Sequence, residues 1–173
     1  MPLGSGWGLS YSGTSLKTVS RELRAQGDGR MTLEFRRELR AVAAPMVPAV
    51  RASAMSIQSK QTRGKRAGLR AAIAKAVTLR VRTSGTLASV AIMVDGRKMP
   101  PREGSLPGYM EGTRPRWRHP VFGPTASRPN PPYVQQPAHP YFFRIVRPLG
   151  FASRVAVNKV IDKTTREITG RSL

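Results

Sequence analysis

The sequence contains no cysteine, and it has only nine Asp and Glu against thirty Lys and Arg. The first absence excludes disulfides, thiolate metal sites and thiol catalysis. The second leaves a formal charge of +21, which repels itself in an isolated compact chain and favours an acidic or polyanionic partner. A GC-rich genome would inflate Arg and Ala, but it would not remove the acids. Aromatic residues make up 6% and apolar residues 39%, both low, so 173 residues predict one domain with a modest core. No apolar run approaches the roughly 20 residues that span a bilayer. The opening Met1-Pro2-Leu3-Gly4-Ser5-Gly6-Trp7 lacks the basic and apolar regions of a signal peptide. The expectation is a soluble, intracellular product with no membrane partner.

Catalytic devices are scarce too. No Gly-rich phosphate loop runs into Lys-Ser/Thr, and no dinucleotide fingerprint occurs. The two histidines, His119 and His139, are each followed by proline, and no carboxylate lies between Glu111 and Asp162. Two isolated imidazoles make a poor metal site. A Ser-His-Asp device would draw its acid from far away, and no nucleophile elbow is present. Solvated or structurally hydrogen-bonded histidines are the better reading. The sequence predicts no enzyme, and no catalytic, metal or cofactor-binding residue.

What is present is a cluster of rings and prolines. Trp117-Arg118-His119-Pro120-Val121-Phe122-Gly123 is echoed by Gln136-Pro137-Ala138-His139-Pro140-Tyr141-Phe142-Phe143. Its character is aromatic, proline-fixed and basic, which suits packing and contact rather than chemistry. Trp117, Val121 and Phe122 are expected to be buried, pinning this stretch to the sheet or the last helix, because a large apolar side chain buried fully is worth about 2–3 kcal/mol.

Periodicity organises the rest. Residues 1–13 are rich in Gly and Ser and predict a flexible arm, ahead of a single domain over 14–173. Leu16, Val19 and Leu23 predict a helix from Ser15 to Gln26, stopped by Gly27. Thr32 reads as the cap of a long helix whose stripe is Leu33, Phe35, Leu39, Val42, Met46, Val50, Ala54 and Ile57. The stripe reads as a core face, with a partner helix in a coiled coil as the alternative. Pro45 and Pro48 predict a kink near residues 41–44. A mobile basic loop follows near 58–68, then a helical turn over Leu69–Ala76. Two alternating runs, Val77–Arg82 and Ala88–Val94, predict a β-hairpin. Residues 96–138 hold ten of the fifteen prolines and predict a second mobile, extended segment, with short strands laid against the hairpin and a long loop near Pro124–Pro132. The last helix is predicted from Pro140 to Glu167, capped at His139 and bent at Pro148. Its stripe is Phe142, Ile145, Val146, Leu149, Ala152, Val155, Ala156, Lys159 and Val160. The fold class is α+β: an antiparallel sheet packed by a long kinked N-terminal helix and a long C-terminal helix.

This order of features resembles the tail-completion or neck proteins of long-tailed double-stranded DNA phages. The matching residues are Gly68-Leu69-Arg70-Ala71-Ala72-Ile73, the hairpin, Leu106-Pro107 with Glu111-Gly112, the motif at 117–123, and Gln136 to Phe143. Together they cover about residues 30–168. The Trp-x-His-Pro-x-Phe-Gly element is the most specific of them. The Gly/Ser-rich N-terminus and the proline-rich stretch near 124–132 depart from the family pattern. The resemblance implies a structural virion protein at the head–tail junction, made in the host cytoplasm. It implies a homo-oligomeric ring, six-fold or twelve-fold, between head-completion (stopper) and tail-terminator rings. Trp117, His119, Pro120, Phe122, Gly123, Tyr141 and Phe142 would be its structural motif.

Two function classes therefore stand side by side. One is the neck-ring subunit. The other is a basic nucleic-acid-binding module, in which bases stack on rings beside Arg, as in Arg116-Trp117-Arg118 and Tyr141-Phe142-Phe143-Arg144. Candidate contacts to partner chains, or to DNA in the channel, are Lys60, Arg63, Lys65, Arg66, Arg114, Arg116 and Arg118. The loop carrying the first four is expected to order only against a partner.

Overall fold

The computed structural model describes residues 6–57, 68–84, 87–113, 117–120 and 133–170. It is a mixed helix-and-sheet protein, as expected. In chain order it runs β1 (Gly6–Tyr11), α1 (Thr14–Ala25), α2 (Gly29–Ala43), α3 (Met46–Met55), α4 (Gly68–Ala76), β2 (Val77–Arg82) and β3 (Ser89–Asp95). A 3-10 turn at Gly96–Lys98, α5 (Leu106–Glu111), β4 (Trp117–Pro120), β5 (Tyr133–Gln136) and α6 (Phe143–Gly170) follow.

The N-terminal helices follow their apolar spacing. Leu16, Val19 and Leu23 are buried on α1, and Gly27 ends that turn with φ at +68°. The cap of α2 is Asp28 and not Thr32: its carboxylate accepts the Met31 N–H at 3.0 Å. Thr32 sits one turn inside, and its hydroxyl donates to the Asp28 carbonyl. Met31, Phe35, Leu39 and Ala43 form the buried stripe of α2, and Met46, Val50 and Ala54 continue it on α3. Leu33, placed on that stripe by the sequence, is 65% exposed. The break between the two helices falls at Ala44-Pro45. Pro48 lies in the first turn of α3, where its missing N–H has no intrahelical partner to lose.

The main sheet has the order β1-β3-β2, antiparallel throughout. On β3, Val90, Ile92 and Val94 are buried while Ala91 and Met93 are half-buried, so the alternation read from the sequence is real. The expected hairpin of β2 and β3 is present, with Leu79 opposite Ile92 and Val81 opposite Val90. The N-terminal arm is a correction. Residues 6–11 are not a loose tail but an edge strand on β3, pairing Gly6 with Asp95 through Tyr11 with Val90. A Cβ at Gly8 would lie 2.2 Å from the Ile92 carbonyl oxygen and 2.6 Å from the Met93 Cα, so glycine is what permits this approach.

Helix α2 lies against β2 and β3, and α6 packs against α1, α2 and α3. One core joins these layers, with Leu16, Phe35, Leu39, Ile73, Val94, Tyr141 and Phe142 fully enclosed. The short strands expected in the proline-rich segment exist, but β4 and β5 pair with each other as a separate two-stranded sheet rather than extending the main one.

Candidate functional site

The centre of the candidate site is the joint between α5 and α6. Helix α5 carries proline in its first turn and closes on Gly112, whose φ of +82° suits a residue without a Cβ. The Thr113 N–H returns to the Gly108 carbonyl at 3.0 Å. This turn holds Glu111, 6% exposed, against the start of α6. There its two carboxylate oxygens accept three backbone N–H groups: Tyr141 and Phe142 at 2.8 Å each, and Phe143 at 2.9 Å. The His139 N–H donates to the Met110 carbonyl at 2.7 Å, strapping residues 137–140 across the end of α5.

The start of α6 is therefore another correction. The helix begins at Phe143, not Pro140, and its cap is Glu111 rather than His139. Phe142 fills the cap position in the chain, its carbonyl accepting from Val146 N–H, but a phenyl ring cannot accept hydrogen bonds from the helix. No acid lies in the first turn of α6. The Glu111 carboxylate supplies both the acceptors and the negative charge that the helix N-terminus favours. Tyr141 and Phe142 are fully buried beside it, so these two rings are not open to the base stacking that the second reading drew on. Burial, with the Glu111 charge second, pushes the Tyr141 phenol far above its usual range.

A groove of about 560 Å³ opens on this joint, between Gly112-Thr113 on one wall and Phe143, Arg144, Arg147 and Pro148 on the other. The Arg147 guanidinium stands 5.3 Å from the Phe143 ring centroid. Beyond the groove, Arg144, Arg147, Phe151 and Val155 recur every three or four residues and share one side of α6. Phe151 is 77% exposed. The sequence had placed Leu149, Ala152, Val155 and Lys159 on the buried stripe; all four are exposed. The buried line runs instead through Val146, Val157, Ile161, Thr164 and Ile168.

A second charged cluster ties the sheet edge. Asp95 accepts from Arg80 at 2.9 Å, from the Arg97 side chain at 3.0 and 3.1 Å, and from the Arg97 N–H at 3.2 Å. Chiefly through the Arg97 hydrogen bonds, its pKa falls to about 2 despite burial. Arg97 is held charged by the same partner. This arrangement anchors the turn after β3.

The other sequence-predicted residues divide sharply. Trp117, His119 and Pro120 lie in β4, opposite Gln136, Val134 and Tyr133. The burial expected of Trp117, and the placements of Val121, Phe122 and Gly123, lie outside the described side chains and residues. So do Lys60, Arg63, Lys65, Arg66, Arg114 and Arg116, and with them the expected behaviour of the 58–68 loop. Arg118 is exposed and stands 5.6 Å from the centroid of Tyr133, itself 55% exposed. Tyr133 is, with Trp117, Val121 and Phe122, one of the side chains of this segment that would be costly to leave wet, and it is exposed all the same. His139 is exposed.

Among the described residues no group of three His, Asp or Glu could hold a metal ion, and no helix is long and apolar enough to cross a membrane. The chain matches no protein-family model, no curated protein and no solved structure.

Proposed function

We propose that this chain is a structural subunit of the neck of a long-tailed double-stranded DNA phage, closing into a ring that joins the filled head to the tail. The observation that carries this reading is the Glu111 clamp. The Leu-Pro…Glu-Gly stretch and the Gln…Pro…Phe-Phe stretch are two of the motifs whose order resembles that family. They lie about thirty residues apart, yet Glu111 on one holds Tyr141, Phe142 and Phe143 on the other. Their pairing thus has a physical reason, which chance motif matches would lack. The architecture agrees with it: a small antiparallel sheet with a bent helix and a 28-residue helix, the latter about 42 Å long. A chain with this charge and an exposed phenylalanine on its longest helix suits a protein completed by neighbours.

A ring of identical chains repeats one heterologous interface until it closes. Electron microscopy of the purified chain, and of particles containing it, tests the reading. Closed rings at the head–tail junction are the expected result. A basic nucleic-acid-binding module is the second reading, favoured by the exposed Tyr133 beside Arg118. It predicts a mobility shift of single-stranded DNA that weakens steeply with salt and with Tyr133→Ala.

A further inference from the structure

We propose that the groove at the base of α6, together with the outer side of that helix as far as Val155, is a docking site for an acidic, partly apolar segment of a different protein. The proposal goes beyond the neck reading and does not depend on it.

The first argument is charge complementarity. Ion pairs among the described residues engage Arg80, Arg97 and Lys163, and none engages Arg144, Arg147 or Arg154. No carboxylate occurs between Glu111 and Asp162 to compensate them. Glu111, which forms part of the groove wall, is fully committed, with both oxygens bound to backbone N–H groups. The cations on this side of α6 therefore lack an anion that the described chain could supply.

The second argument is the apolar centre between them. Phe151 is 77% exposed and Val155 41% exposed, one turn apart; Arg147 precedes Phe151 by one turn, and Arg154, next to Val155 in the chain, holds its guanidinium 5.6 Å from the Tyr11 ring centroid. An exposed ring framed by arginines is the composition of a protein–protein anchor: an aromatic to bury, with cations fixing the partner's orientation. A second copy of this chain is a poor occupant of this patch, because it has only nine carboxylates and Glu38, Asp95 and Glu111 are already engaged; a ring of identical chains would close through another face. A nucleic acid would satisfy the arginines but gain little from Val155, which has no π face, and Arg147 already stands over the Phe143 ring.

The test uses the full chain and a fluorescein-labelled extended peptide alternating Glu with Leu and Phe, followed by anisotropy. The proposal expects binding that drops about tenfold in R144E/R147E, with a comparable drop in Phe151→Ser, which leaves net charge unchanged. The same peptide with Gln in place of Glu should bind at least about tenfold more weakly. R21E/R24E, two exposed positions on α1, removes as much charge elsewhere and should leave binding within about twofold of the parent. All these side chains are exposed, so melting should not change; R144Q/R147Q and Phe151→Ala carry the same test should a variant unfold. Equal losses in R21E/R24E and R144E/R147E would overturn the proposal in favour of diffuse attraction. Indifference to Phe151→Ser would overturn it too, as would a tighter complex with oligo-dT that is lost in R144E/R147E. Conversion of an oligomer to monomer by Phe151→Ser would assign the face to self-assembly instead.

Discussion

Replacing Glu111 by Gln removes one buried charge and leaves one carbonyl oxygen facing three N–H donors that now share it with an NH2 group. Hydrogen bonds to a charged partner contribute about 1.5–3 kcal/mol each, and a charge at a helix N-terminus up to about 2 kcal/mol in partly buried geometry. These contributions are not additive, since water and the backbone partly recover the orphaned donors. A net loss of about 3 kcal/mol is the working figure, against a ceiling of about 5 kcal/mol for Glu111→Ala. For a chain of this size, 1 kcal/mol shifts Tm by about 2–4 °C, so Glu111→Gln should melt about 6–12 °C below the parent. Glu111→Asp keeps the charge but shortens the reach by one methylene, and should fall between Gln and the parent. Circular dichroism gives the melt, and native-state hydrogen exchange at residues 141–143 gives the local effect. Protection there should collapse in Glu111→Gln before the rest of α6 is affected. A melt within about 1 °C of the parent, with protection intact at those three amides, would refute the clamp.

Other perturbations probe separate parts of the fold. The folded Asp95 carboxyl titrates at about 2, below its ordinary value of 3.8, so the stability it contributes is present above pH 4 and is lost as pH falls towards 2. Asp95→Asn should therefore melt lower than the parent at neutral pH, and the gap should close between pH 4 and 2 in an acid titration followed by calorimetry. Ser20 and Ser53 bury hydroxyls that have no hydrogen-bond partner among the described residues, so Ser20→Ala and Ser53→Ala should each raise stability by up to about 1 kcal/mol in urea melts. Gly8→Ala drives a methyl into the β3 backbone and should release β1, seen as rapid amide exchange and proteolysis at residues 6–11 with the β2–β3 hairpin still protected.

The sequence exposes those parts of the structure where one face is buried locally. Leu16, Val19 and Leu23 mark α1, and Val90, Ile92 and Val94 mark β3, because a repeating apolar position needs only its own element to be read. The cap of α2 was also local: the buried stripe starts at Met31, which points back to Asp28, but a stripe started at Leu33 points to Thr32 instead. β1 was misread: Trp7, Leu9 and Tyr11 alternate with Gly6, Gly8 and Ser10, but the glycine and serine content reads as an arm, and the strand pairs through backbone across some eighty residues. The α6 cap was not legible. Tyr141-Phe142-Phe143 contains no side chain able to accept from the helix, and the acceptor comes from thirty residues upstream. The available signal was negative: a helix start without a cap, and one isolated carboxylate, Glu111, at the head of a long acid-free stretch. The outer side of α6 was misread for a different reason. Val155 stands nine residues after Val146, about half a turn out of phase at 3.6 residues per turn, so a stripe drawn through both crosses the helix; Val157 is the residue in phase, and its line is the one enclosed against α1, α2 and α3.

The ring is the central claim, and electron cryomicroscopy of particles assembled with this chain tests it most directly. The account predicts a closed six-fold or twelve-fold ring of this subunit between head and tail. Particles whose head–tail junction lacks this chain, or holds it as an isolated single copy, would contradict it.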